Sequence, residues 1–167
     1  MAIRVVPHDP EWTRWFEDER AVLERALAPW LEGGIHHVGS TAIAGIAAKP
    51  IVDIVAGVRD FDEARAAHQP LRAHGYRYAP HREGIAHHFE RCGRFGLHLT
   101  KPGSDLWRER LAFRDLLRND PALAGDYEAL KFRLAHEHPD DPAAYTAGKR
   151  DFVTRVLAMA GLQPGRR

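Results

Sequence analysis

Cysteine occurs once, at Cys92, in a chain of 167 residues. A single cysteine excludes an intrachain disulfide, and it excludes a cysteine-based zinc site within one chain. As a small apolar residue, Cys92 is expected in the core. Lysine is also scarce. Only Lys49, Lys101, Lys131 and Lys149 stand among 24 basic residues, so each lysine is more informative than any one arginine. A surplus of one charge sign is missing too: 24 Lys+Arg face 23 Asp+Glu, a formal net charge of +1. That balance excludes a protein that coats nucleic acid through a strong basic excess, and no stable nucleic-acid complex is expected. A local basic groove remains compatible with it. No apolar run approaches the ~20 residues that span a bilayer. The stretch Met1 to Val6 is too short for a signal peptide and is interrupted by His8-Asp9-Pro10. No membrane association is expected, and the cytoplasm is the expected location. Repeats, low-complexity tracts and linkers are also missing, so residues 1–167 read as one domain. What is present is ordinary for a globular domain, with 44% hydrophobic and 28% charged residues.

Along the chain, Ile3, Val5 and Val6 read as an extended lead-in. Asp9-Pro10 starts a helix whose apolar face holds Trp12, Trp15, Phe16, Val22, Leu23, Ala26 and Leu27. A short strand at 35–38 ends in Gly39-Ser40-Thr41, and the small residues of 41–49 form a flexible loop. Residues 51–58 are apolar except for Asp53, as in a central strand buried on both faces. Asp60 caps a helix predicted over 61–74. Strands are predicted at 76–79, 85–91 and 94–101, the last two forming a hairpin. The remainder is helical, with stops at Asn119-Asp120-Pro121 and at His138-Pro139-Asp140-Asp141-Pro142. The order implies an α+β fold, a mixed β-sheet flanked by helices with a helical C-terminal third.

Chemistry concentrates around Gly39-Ser40-Thr41 and Asp53. A Gly-Ser turn at a strand end lets backbone amides approach a phosphate, and Ser40 and Thr41 can donate to its oxygens. A carboxylate in an apolar strand needs a partner. A divalent ion such as Mg2+, held by one carboxylate together with substrate phosphates, would supply one. The alternative is a tight turn whose loop amides satisfy Asp53. Lys49 offers a point charge to phosphate or stands solvated in its loop. On the final helix, Tyr145, Lys149, Phe152 and Val156 follow at spacings of four, three and four, which places Lys149 on an apolar face. An unpaired buried ammonium is costly, so Lys149 is expected to reach past the packed residues to the Ser40–Asp53 cleft, the alternative being an exposed helix end from which it points to solvent. Tyr145 would stand at the cleft rim, against a base. Arg108 and Arg110 are expected to face solvent, and Arg114 to turn inward.

His37-Val38-Gly39-Ser40-Thr41, Ala48-Lys49-Pro50-Ile51-Val52-Asp53-Ile54, Leu97-His98-Leu99, Leu111-Ala112-Phe113-Arg114-Asp115 and Ala144-Tyr145-Thr146 with Lys149 and Phe152 together resemble the GrpB (UPF0157) family over roughly residues 3 to 160. That resemblance implies a nucleotidyltransferase-like fold. It also implies a nucleoside triphosphate, ATP first, bound with Mg2+ or another divalent metal, and transfer of a nucleotidyl group to a small acceptor. The family also occurs fused to dephospho-coenzyme A kinase domains. Two departures stand out. Ala44 occupies a position usually held by proline, which would loosen the loop. Val55 stands where the wider superfamily places a second carboxylate; if Asp53 is that second acid, Ile51 stands in place of the first. The chain then uses one metal, recruits another ligand, or binds nucleotide without transferring it. His98 is the candidate replacement, because superfamily enzymes often carry a third acid on a later strand. It would serve as second metal ligand or general base; the ordinary alternative is a half-buried histidine bonded to a carbonyl. His87, His88 and Glu90 rank below it.

Overall fold

The residues of 52–58 are apolar on both faces because both faces are covered. In the computed structural model, which describes residues 2–163, they form β2 (Val52–Val58), flanked by β1 (Leu31–Val38) on one side and β5 (Phe95–Thr100) on the other. β1 is antiparallel to β2, and β5 is parallel to it. β4 (His87–Arg91) and β3 (Arg77–Tyr78) continue the sheet antiparallel, giving the order β1-β2-β5-β4-β3.

Strand alternation sorts the side chains between two faces. Val52, Ile54, Ala56, Val58, Leu97 and Leu99 join the core against α1 (Glu11–Leu27). Trp12, Phe16, Leu23 and Leu27 of that helix are buried, worth roughly 1.5–3 kcal/mol each. The same face carries buried Glu19, which accepts the Tyr76 hydroxyl at 2.8 Å and pairs with Arg91. Asp53, Val55, Gly96 and His98 point to the opposite face, in the register Asp53↔Gly96 and Val55↔His98. That face is covered in part by α3 (Asp105–Asn119), through Leu106 packed with Val38 and Val55.

The C-terminal helices begin where the capping residues stand. Ser104 accepts the Trp107 amide, Asp120 the Leu123 amide and Asp141 the Ala144 amide, each worth about 1 kcal/mol. These caps open α3, α4 (Pro121–Glu137) and α5 (Pro142–Gly148).

Four expectations are corrected. The final helix is two, α5 and α6 (Arg150–Met159), meeting at Lys149. The junction carries Gly148 so close to α4 that a Cβ there would lie 2.4 Å from Leu134. The helix predicted over 61–74 begins as a 3-10 turn, Glu63–Ala67, before α2 (His68–Ala73), because Pro70 has no amide for the Ala66 carbonyl. Cys92 is exposed, at the tip of the β4–β5 hairpin with φ 46°. The loop over 41–49 is anchored rather than loose. Ile43, Ile46, Ala47 and Ala48 are buried. Arg118 donates to the Ala42 carbonyl at 2.8 Å, and Glu128 and Lys131 take the Ala47 amide and carbonyl.

Among the described residues no helix is long and apolar enough to cross a membrane. Of the tail expected to fray from Gly161, residues 164–167 lie outside the described ones.

Candidate functional site

β1 ends at Val38, opposite Asp53 of β2. The chain must then turn sharply across that carboxylate. Gly39 does so with φ 74° and ψ −174°, a conformation essentially closed to other residues. A Cβ on Gly39 would lie 2.5 Å from Asp53 Oδ2, and one on Gly96 would lie 3.0 Å from Oδ1. The carboxylate thus sits in a cradle between two glycines. Ser40 opens the short 3-10 turn that follows, with its hydroxyl beside that of buried Tyr127.

The surroundings of Asp53 are cationic. Burial raises its carboxyl pKa, and Arg110, Lys149, His88 and Lys49 oppose that shift in this order. Lys149 is half-buried. Burial pushes its ammonium down to about 8, Asp53 works the other way, and Lys49 and Arg110 add to the depression. The ring of Tyr145 is buried, with Lys149 Nζ at 4.7 Å and Lys49 Nζ at 5.6 Å from its centroid. Two ammonium groups therefore share one aromatic ring beside one carboxylate. Lys131 lies next to them, buried, 4.9 Å from the Tyr127 ring and pushed down to about 8 by burial and by Lys149.

The structure gathers Gly39, Ser40, Lys49 and Lys149 around Asp53, whereas Tyr145, expected at the rim against a base, is buried with the two ammonium groups over its ring. Thr41 is turned away from the cleft: it is buried, donates to the Ile51 carbonyl at 3.1 Å and accepts from His37 Nε2 at 2.9 Å. His98 shares the Asp53 face of the sheet, diagonally across from it. It is buried, its Nδ1 has no hydrogen-bond partner, and burial with Arg110 holds its pKa well below the usual imidazole value.

Sequence reasoning missed Arg110, which faces the cleft instead of solvent. The signal was available, because Leu106, Arg110, Phe113 and Leu117 share one face of α3. Tyr127, Lys131 and Leu134 give the same signal on α4. Arg114 does turn inward, donating to the His37 carbonyl at 3.1 Å.

A metal centre enclosed by protein alone does not fit, since no group of three His, Cys, Asp or Glu among the described residues is placed to hold an ion. An ion carried in on phosphate does fit, because Mg2+ needs only one or two carboxylates there and Asp53 is cradled without a side chain on either flank. A separate cavity of about 370 Å³ lies behind the turn, between His8, Ala44, Arg118 and Pro121, and Asp53 is not in its walls.

His37 supports the turn from the core side. It stacks on Phe16 at 4.9 Å, and burial holds its pKa at about 4, with Arg118 and Arg114 adding to the effect. The unfolded chain takes up this proton near 6.5 and the folded one only near 4, so stability is full above about 6.5 and falls as pH drops toward 4. The expected loss is on the order of 3 kcal/mol, with His98 adding in the same direction. Urea unfolding of the parent chain and of His37→Asn at pH 7 and pH 4.5 measures it. An equal change with pH in both would show that the His37 imidazole is not held neutral.

The sequence profile described as GrpB protein matches residues 2–159. The glutamate-rich protein GrpB of Alkalihalophilus pseudofirmus is 34% identical over 172 residues, spanning 92% of each chain. A UPF0157 protein of Deinococcus radiodurans is 38% identical, over 93% of this chain and 81% of its own. The crystal structure of conserved protein GrpB from Enterococcus faecalis superposes with a TM-score of 0.86 at 27% identity, over 94% of this chain and 96% of that one. Terminal uridylyl transferase 4 from Trypanosoma brucei, solved with bound CTP, superposes with a TM-score of 0.53 at 15% identity, over 96% of this chain and 54% of its own. At that identity the likeness shows the fold alone, which is nucleotidyltransferase-like.

Proposed function

The chain belongs to the GrpB family, and we propose that its cleft binds a nucleoside triphosphate with a divalent cation and passes the nucleotidyl group to a small acceptor. The observation that carries this reading is the charge balance at Asp53, where Arg110, Lys149 and Lys49 all act on one carboxylate. Three cations against one anion, partly withdrawn from water, call for an anionic ligand. A triphosphate supplies that charge and brings its own divalent ion to Asp53. The fold supports the choice, because terminal uridylyl transferase 4 holds UTP or CTP on a similar framework. The Gly39-Ser40 turn would meet phosphate oxygens, and Lys49 and Lys149, held over the buried Tyr145 ring, would neutralise them. In the transfer, the acceptor's nucleophilic atom bonds to the α-phosphorus and the bond to pyrophosphate breaks. Catalysis by this chain's own residues would be alignment and charge stabilisation.

A second reading is a noncatalytic nucleotide-binding module. Val55 favours it, standing where a second carboxylate would serve two-metal transfer. Pyrophosphate release in the presence of acceptors separates the two.

Isothermal titration with ATP, UTP and CTP, with and without Mg2+, tests binding. Lys149→Gln is expected to weaken the best ligand about tenfold, or roughly 1.4 kcal/mol, with an unchanged circular dichroism spectrum. No affinity for any triphosphate would overturn both readings.

A further inference from the structure

We infer that His88, and not His98, is the second protein donor to the cation at Asp53, the two donors converging over the space that Gly96 leaves open. The inference deepens the metal–nucleotide reading and rests on it. Gly96 lies between β2 and β4, opposite Asp53 on one side and Glu90 on the other. From the point where a Gly96 Cβ would stand, Asp53 Oδ1 is 3.0 Å away and His88 Nε2 is 3.7 Å away. A carboxylate oxygen and an imidazole nitrogen therefore approach one unfilled point.

The tautomer of His88 suits it to this role. Its Nδ1 lies 2.9 Å from the Ala79 carbonyl, which can only accept, so Nδ1 carries the proton. In the neutral ring Nε2 then keeps its lone pair. A backbone carbonyl on the far nitrogen is the usual device that orients a metal-binding histidine. The ring is fixed from its faces as well, stacked on His98 at 4.5 Å and met by His81 at 6.0 Å. His88 is half-buried and open to an incoming ion.

The same stacking disqualifies His98 as a co-ligand. An imidazole lone pair lies in the ring plane, and the two rings are only 25° from parallel. Two stacked planes so close to parallel do not meet near the rings, so one ion cannot lie in both. His98 instead acts as the platform under His88. Val55 removes a carboxylate from the expected position, and the histidine two strands away supplies the missing donor. An imidazole in the donor set also moves the preference from Mg2+ toward Mn2+ or Co2+.

Mn2+ is the probe. Electron spin-echo spectra of Mn2+ bound to the full chain are to be recorded with the metal alone and with a non-hydrolysable ATP analogue. They are expected to show the nitrogen modulation of a directly bound imidazole. His88→Gln is expected to abolish it and His98→Gln to keep it. Gly96→Ala retains both rings and fills the shared point, its methyl standing 3.0 Å from Asp53 Oδ1, and is expected to abolish the modulation too. No nitrogen modulation in either arm overturns the proposal, as does modulation that survives His88→Gln. Titration of the triphosphates separates this outcome from the nucleotide reading. Nitrogen modulation with the metal alone, but no nucleotide affinity, leaves the metal site standing and removes the nucleotide. Nucleotide binding without nitrogen modulation does the reverse.

Discussion

Gly39→Ala is expected to be the most damaging single substitution at the cleft, lowering Tm by roughly 10 °C. Two costs combine. The backbone at φ 74° and ψ −174° is strained for any residue with a Cβ, by about 1–3 kcal/mol. The new methyl would also stand 2.5 Å from Asp53 Oδ2 and 3.1 Å from Asp53 Cβ, an overlap of the kind that costs about 1–3 kcal/mol more in a packed interior. A domain of this size loses about 2–4 °C per kcal/mol. The two costs are separable, because only the second depends on Asp53. In the double variant Gly39→Ala/Asp53→Ala the oxygen is gone, so part of the lost Tm is expected to return. Thermal denaturation of the two singles and the double forms a double-mutant cycle. Strict additivity would show that the carboxylate does not lie against the turn.

Asp53→Asn is expected to behave in the opposite way, removing function without removing stability. The swap keeps shape and deletes the charge. Metal-dependent triphosphate affinity is expected to fall at least tenfold, about 1.4 kcal/mol or more, while affinity measured without metal changes little or rises. Stability follows from the direction of the carboxyl shift. Burial raises the folded pKa of Asp53 above 3.8, so the native state holds this proton to higher pH than the unfolded one. Stability contributed by Asp53 is therefore greatest in acid and declines as pH rises past 3.8. The asparagine variant lacks that decline, so its Tm at pH 7 is expected to equal or exceed that of the parent chain. A variant that unfolds at markedly lower temperature would show that the carboxylate is a structural partner of Arg110 and the lysines. A stable variant with unchanged metal-dependent binding would show that Asp53 holds no ion.

The framework of this cleft is legible in the sequence where local rules decide it. Gly39 and Ser40 mark a strand end, and Asp53 is the one charge in an apolar strand. Strand period alone then aims Asp53 away from Ile54, and His98 away from Leu97 and Leu99. Lys149 was legible from its helical spacing, although the helix breaks at that residue. The basic half was harder to read. Arg110 occupies an apolar helix face at spacings of three and four, but arginine is so frequent in this chain that one among many carried little weight. His88 could be named from the sequence but only below His98, for a different reason. Its place beside Asp53 depends on hairpin register, on the parallel pairing of β2 with β5 and on a glycine between them, none of which is local. Cys92 illustrates the limit from the other side, since its usual preference for burial yields to its position at a hairpin tip.

The two halves of the cleft are far apart along the chain, and that separation sets the order in which the cleft can come into being. A protein emerges from the ribosome N-terminus first. The Gly39-Ser40 turn and Asp53 are therefore synthesised long before Arg110, Lys131 and Lys149. A nascent chain that has formed β1 and β2 presents the carboxylate with Lys49 but without Arg110 and Lys149. It also leaves Ala42 and Ala47 without the arginine, glutamate and lysine that anchor the loop between those strands. The helices that follow supply both at once, so the basic half of the site is completed only after the helices from α3 to α6 have docked.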